Sequence, residues 1–250
     1  MTIDYPKSHQ IPALRQLWQE AFGDSDAFLD IFFTTGYSPL RCRCITDGDA
    51  VAAALYWFDC TCRGKKIAYL YAVATAVSRR GQGLCRRLMA DTHQLLATQS
   101  YSGAILVPGE ETLFRFYAAQ GYETVAFADT LRQSSAIPAL PLTRLTCEAY
   151  ALRRQQLLPD GAVIQEGENL AFLSQLCDFY GGESWVMAAN LNGTTLTAME
   201  FLGDHHSTAG ILTALQATEG TFRTPGSTPF AMYLGFDGSA HPTWFGLPFD

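Results

Sequence analysis

The chain has 250 residues, 48 % of them apolar, and a formal charge of −7, enough for one large domain or two modest ones around a sizeable core. The acidic balance argues against nonspecific nucleic-acid binding, which needs many cations, and no stretch approaches the roughly 18 to 20 continuous apolar residues of a membrane span. The opening MTIDYPKSHQ lacks the basic-then-apolar order of a signal peptide and the seven cysteines are odd in number, so reduced thiols and a cytoplasmic location are expected.

In chain order, Ile11, Leu14, Leu17, Trp18, Ala21 and Phe22 recur at helical spacing, with Pro12 in the first turn and Gly23 after the stripe. Asp24 and Ser25 can cap a second helix carrying Phe28, Leu29, Phe32 and Phe33. Arg41 to Thr46 and Val51 to Asp59 read as strands about the Asp47-Gly48-Asp49 turn, and Lys65-Lys66 after Gly64 leads into the strand run IAYLYAVATAV. Leu84, Leu88, Leu95 and Leu96 then mark a helix, Gly103 to Val107 a buried strand broken by Pro108-Gly109, Glu110 to Gln120 a helix closed by Gly121, and Tyr122 to Phe127 a strand. This order is α/β (α+β), with a mixed, mostly antiparallel sheet flanked by helices.

The texture loosens over Ala128 to Pro141, ADTLRQSSAIPALP, which sets expected domains at 1–135 and 142–250. The second, smaller α+β domain reads as helices over Glu148 to Leu158 and Leu170 to Phe179, then a hairpin of Trp185 to Ala189 and Thr194 to Glu200 around Asn192-Gly193. A short helix follows at Ile211 to Leu215, and FAMYLGF and HPTWFGLPFD look strand-like and aromatic.

Chemistry concentrates in SRRGQGLCRRLM, Ser78 to Met89. A helix starting after Gly83 leaves its first amides unpaired and its positive dipole end facing the loop, a site for phosphate oxygens. Gly81 and Gly83 let the backbone approach such a ligand, and Arg80 adds charge. A Walker loop would need Gly-Lys-Ser/Thr at the helix start, and a dinucleotide fingerprint a third glycine where Arg86 stands. The stretch also follows an antiparallel meander, unlike the first parallel unit of a dinucleotide fold.

These residues resemble the GNAT-type N-acetyltransferases, whose pyrophosphate loop is written Arg/Gln-x-x-Gly-x-Gly/Ala; here it is Arg80-Gly81-Gln82-Gly83-Leu84-Cys85, with Cys85 departing at the last position. Arg86, in the first turn of the helix, joins the expected coenzyme set. The resemblance covers roughly residues 1 to 130, including the strand Tyr69 to Thr75 and LVPGEETLFRFYAAQGYE from Leu106 to Glu123, similar to the family's second cofactor segment. It implies acetyl-CoA as cosubstrate, with main-chain groups of Val73, Ala74 and Thr75 on the pantetheine and thioester. It also implies direct transfer in a ternary complex to a primary amine, on a small molecule or a protein. Tyr117 falls where the family commonly places its general acid; a phenol with reference pKa about 10 stays protonated at neutral pH and can serve a thiolate, the alternative being that it packs beneath the coenzyme without transferring a proton.

The base is less plainly written, since Glu110 and Glu111 read as helix-end charges. The N-terminal architecture is also similar to the Eis (enhanced intracellular survival) acetyltransferases, in which the C-terminal carboxylate enters the active site, so Asp250, by side chain or terminal carboxylate, is the expected base. Met199 to Leu215 echoes the coenzyme crossover without its arginine and paired glycines: either a degenerate second acetyltransferase-like half closing the acceptor pocket, or an ordinary strand–helix connection. Cys42-x-Cys44, Cys60-x-Cys62 and Asp204-His205-His206 lack favoured metal-ligand spacing, so no metal is expected. The alternative function is a noncatalytic acyl-CoA-binding or sensing protein.

Overall fold

The computed structural model describes residues 1–239 and 241–249. The chain folds as two compact units, Met1–Glu123 with Tyr233–Ala240, and Thr124–Met232 with His241–Asp250. The units are therefore not two consecutive stretches: the chain leaves the first, builds most of the second, and returns to the first for eight residues before finishing.

The first unit opens with β1 (Thr2–Asp4), α1 (Ile11–Phe22) and α2 (Asp26–Ile31). Pro12 lies in the first turn of α1, where its missing N–H is harmless, and Gly23 ends the helix in the left-handed region at φ 75°. The Ser25 hydroxyl accepts from Phe28 N–H at 3.2 Å and caps α2, while Asp24 instead accepts from Trp18 Nε1 at 2.8 Å. Against expectation, α2 stops at Ile31 and the chain widens into a π-type turn over Phe32–Gly36, which buries Phe32 against Trp18, ring centroids 4.5 Å apart. There follow β2 (Cys42–Asp47), β3 (Ala50–Cys62), β4 (Lys65–Thr75), α3 (Leu84–Thr98), β5 (Gly103–Leu106) and α4 (Glu111–Ala118). The strands lie in the order β1-β2-β3-β4-β5, antiparallel except that β5 runs parallel to β4. Apolar residues of α1 (Leu14, Leu17, Trp18) and α3 (Leu84, Leu88, Leu96) are buried. The returning segment closes on β5: Phe236 N–H donates to Ser102 O at 2.9 Å and Tyr233 hydroxyl to the same oxygen at 3.0 Å. Gly103 leaves room for the Tyr233 ring, which any Cβ there would overlap.

The second unit contains β6 (Glu123–Ser134), β7 (Thr143–Arg144), α5 (Cys147–Leu157), α6 (Glu168–Leu173), β8 (Asp178–Gly181), β9 (Trp185–Asn192), β10 (Thr195–Gly203), α7 (Thr208–Ala214) and most of β11 (Glu219–Gly235). Its strands run β11-β10-β9-β8-β7, with β6 on β11. β10 and β11 are parallel, joined through α7. Three expectations change. The stretch after Ala128 is the rest of β6, a strand of alternating exposure whose partner is remote in sequence. The helix expected to Phe179 ends at Leu173, and Asp178–Gly181 pairs with β9. HPTWFGLPFD forms no strand in its described part, only a bridge between Trp244 and Ala162.

That segment is held by burial. Trp244, Phe245 and Leu247 are fully buried. Trp244 Nε1 donates at 3.0 Å to Glu200, which also accepts from Tyr150 hydroxyl at 2.8 Å and from Arg154 Nε and Nη2 at 2.5 and 2.9 Å. Among the described residues no helix is long and apolar enough to cross a membrane.

Candidate functional site

The site begins as an irregularity in β4. Ala54 pairs with Ala74 but Tyr56 with Tyr71, so β4 carries one extra residue there, and Ala72 adopts φ 48°. A left-handed alanine costs about 1 kcal/mol or more, and a bulge re-aims the strand around it. Ala76 N–H donates to Ala52 O at 2.9 Å; by strand alternation Ala74 also turns its main chain to β3, while Val73 and Thr75 turn theirs away. On that side β5 claims little, because the parallel pairing covers only Ala68 with Ala104 and Tyr69 with Ile105. Pro108 follows the strand without an N–H to extend it. The two strands part, leaving main-chain groups of Val73 and Thr75 at the opening.

The glycine loop closes one end of the opening. Gly81 and Gly83 sit at φ 76° and 72°, and a Cβ on either would meet no atom within 4 Å, so space stands over both. The first bond of α3 in this turn runs from Arg87 N–H to Gly83 O at 3.1 Å, so the amides of Leu84, Cys85 and Arg86 have no helical carbonyl. Three arginines ring the loop: Arg79 pairs with Asp47 at 2.7 Å, Arg80 Nε donates to Thr75 O at 3.3 Å, and Arg86 stacks 5.7 Å from the Phe116 ring centroid. Within a chain of net negative charge this is a local cationic pole built for an anion.

Helix α4 forms the other wall. Leu113, Phe116 and Tyr117, at helical spacing, line the same cleft of about 420 Å³ as Val73, Thr75 and the loop residues Arg80, Gly81, Gly83, Leu84, Cys85 and Arg86. Gln82 and Ala74 are outside this lining, which among the described residues contains no carboxylate. Asp250 lies outside the described residues. Arg79 and Leu113 are not singled out from sequence; for Leu113 the apolar stripe of α4, three and four residues apart and converging on Tyr117, is the available signal.

Burial controls the ionisation of the wall. The Tyr117 phenol is pushed far up, first by desolvation and then by neighbouring Cys85, so it holds its proton throughout the neutral range. The Cys85 thiol is raised to about 11 by burial against the opposing effect of Arg86, which makes it a neutral packing group and a poor nucleophile. Behind Tyr117 stands Tyr122, ring centroids 5.8 Å apart, whose hydroxyl is 2.8 Å from His93 Nε2 on α3. Desolvation lowers His93 from 6.5 to about 4. Above pH 6.5 it is neutral in both folded and unfolded chains; as pH falls towards 4 the unfolded chain takes the proton first, and stability is lost by up to about 3 kcal/mol. Urea unfolding at pH 7 and pH 4.5 should show a larger acid loss for wild type than for His93→Asn; equal losses would contradict the assignment.

Among the described residues no group of three or more His, Cys, Asp or Glu side chains gathers as metal ligands would. Asp204 caps His206 N–H at 3.0 Å, and His205 Nε2 lies 2.8 Å from Thr224 Oγ1.

The family profile described as "Acetyltransferase (GNAT) domain" matches residues 2–125. Comparison with curated protein sequences gives no match. Among solved structures, a GCN5-related N-acetyltransferase from Kribbella flavida superposes with TM-score 0.70 at 15 % identity, over 94 % of this chain and 71 % of that one. Eis1 from Mycobacterium abscessus gives 0.63 at 12 % identity over 92 % and 66 %, and a tandem GNAT protein from the clavulanic acid biosynthesis pathway 0.57 at 11 % over 94 % and 98 %. At these identities the likeness is one of fold.

Proposed function

The chain belongs to the GNAT family of acetyltransferases through its residues 2–125, and from this premise we propose that it transfers an acetyl group from acetyl-CoA to a primary amine by direct attack in a ternary complex. The observation that carries the reading is one cleft holding an anion-receiving loop, main-chain groups of a bulged strand beyond its pairing with β5, and a buried phenol. The coenzyme supplies an acetyl group activated as a thioester. The residues present fit it: the amides after Gly83 and the Arg80 and Arg86 guanidiniums suit its pyrophosphate, and the open space over Gly81 and Gly83 admits phosphate oxygens.

The main-chain groups of Val73 and Thr75 hold the pantetheine arm and thioester, with an N–H there stabilising negative charge on the carbonyl oxygen. Ala74 serves by keeping β4 on β3, and Gln82 by its place between the two glycines. As the amine nitrogen bonds to the acetyl carbon, the carbon–sulfur bond breaks, its electron pair goes to sulfur and Tyr117 gives sulfur a proton. A proton leaves the amine to a base, for which the described residues of the cleft lining supply no carboxylate. That last observation favours the second reading, a protein that binds acyl-CoA without turnover. Titration with acetyl-CoA, followed by thiol release across polyamines, aminoglycosides, amino acids and peptides, separates the two: release with any amine supports transfer, binding without release supports the second reading, and absence of binding overturns both.

Gly83→Ala tests the loop. The left-handed φ costs about 1 kcal/mol of stability, and the new methyl stands where the phosphate approaches, so acetyl-CoA affinity should fall at least about tenfold by calorimetry, or about 1.4 kcal/mol. An unchanged affinity would move the pyrophosphate elsewhere.

We also infer that the second unit is a degenerate acetyltransferase-like half. Its β7-α5-α6-β8-β9-β10-α7-β11 order repeats β1-α1-α2-β2-β3-β4-α3-β5, with the same antiparallel pairs and the same parallel crossover. β10 carries an extra residue, Met199, between Ala198 and Glu200, as β4 carries its own. The superposition on a tandem GNAT protein supports the reading. In this half, the carboxylate of Asp204 takes the His206 amide in the 3-10 turn His205–Ser207 that leads into α7, where the first half presents glycines.

A further inference from the structure

Thr75 ends β4 at the mouth of the glycine loop and carries a polar atom that no described residue uses. Its carbonyl accepts from Arg80 Nε at 3.3 Å, yet its Oγ1, shut off from water, has no hydrogen-bond partner among the described residues. Buried threonine hydroxyls are ordinarily spent at once; Thr92 in α3 donates to Leu88 O at 2.8 Å. A stranded hydroxyl costs roughly 1 to 3 kcal/mol, and valine, of the same shape and at home in strands, would avoid that cost. In the run Ala72 to Val77 Thr75 is the one polar side chain, and the residue lines the cleft between the Val73 main chain and the Gly81–Gly83 loop.

We propose that the Thr75 hydroxyl is a coenzyme contact, donating to an oxygen at the junction of the pantetheine arm and the pyrophosphate. This rests on the acetyl-CoA reading given above. The hydroxyl is shut off from water, and the exposed Arg80 side chain is bonded to the same residue's carbonyl. The bond therefore trades stability of the empty protein for affinity.

The test uses the full chain, with Thr75→Val and Thr75→Ser, titrated with coenzyme A and with adenosine 3′-phosphate 5′-diphosphate, which has the pyrophosphate and lacks pantetheine. Thr75→Val should bind coenzyme A about tenfold more weakly, Thr75→Ser within about twofold of wild type, and ligand-free Thr75→Val should unfold at a higher temperature than wild type. A loss confined to coenzyme A places the bond on the pantetheine arm, and a loss with both ligands places it on the pyrophosphate. Equal affinity of wild type and Thr75→Val overturns the proposal while leaving acetyl-CoA binding intact, and so does a Thr75→Val protein that is less stable without ligand. A wild-type protein that binds neither ligand removes the acetyl-CoA reading and this contact together.

Discussion

Tyr117→Phe is expected to lower acetyl transfer about a hundredfold or more, the scale of a lost general acid, while leaving the acetyl-CoA dissociation constant within about threefold. The ring is 7 % exposed and packs beside Phe116 at 5.2 Å between centroids, so phenylalanine keeps the wall and removes only the proton. Desolvation that raises the phenol also raises a thiolate formed in the same cleft, which keeps donor and acceptor matched. Activity of the wild type should accordingly show no alkaline loss from Tyr117 at pH 7 to 9. Steady-state turnover with calorimetric binding checks both halves; a variant with normal turnover would reduce Tyr117 to packing beneath the coenzyme.

The second large effect is on stability. Glu200→Ala should destabilise the protein by about 3 to 5 kcal/mol, read as a fall in urea midpoint. Glu200 is fully buried with Arg154, 1 % exposed, and its removal leaves a guanidinium, the Tyr150 hydroxyl and the Trp244 indole N–H without their shared acceptor. Tyr150, pushed up by burial and then by Glu200, remains a donor. Gly246 gives the carboxylate its space, since a Cβ there would overlap it. Replacing the ion pair as a unit, Arg154→Met with Glu200→Leu, should recover much of the loss, because no charge is then stranded. If Glu200→Ala unfolds like wild type, the network is not what fixes the Trp244–Phe249 segment.

What could be read from the residues was what local chemistry dictates. Pro12 and Gly23 bracket α1, and Gly81 and Gly83 announce left-handed turns, because each answers to its own backbone geometry. The glycine loop, β4 and the helix that carries Tyr117 were legible for that reason and through their order. The continuation of β6 to Ser134 and the start of β11 at Glu219 were not, since strand pairing there joins residues far apart. Nor was the packing of Trp244, Phe245 and Leu247, whose aromatic alternation imitates a strand while burial and a remote carboxylate do the holding. The orphaned oxygen of Thr75 is visible only once its neighbours are placed.

The return of Tyr233–Ala240 to the first unit has a consequence for synthesis. A ribosome delivers the glycine loop, the bulged strand and Tyr117 long before it delivers Tyr233; at cellular elongation rates the interval is on the order of ten seconds. Through it the nascent first unit holds β5 with Ser102 and Gly103 uncovered, an open strand edge of the kind that invites pairing with other chains. The segment that covers it is delivered only after most of the second unit has emerged, so the first unit completes its own fold among the last parts of the polypeptide even though most of it is encoded near the beginning.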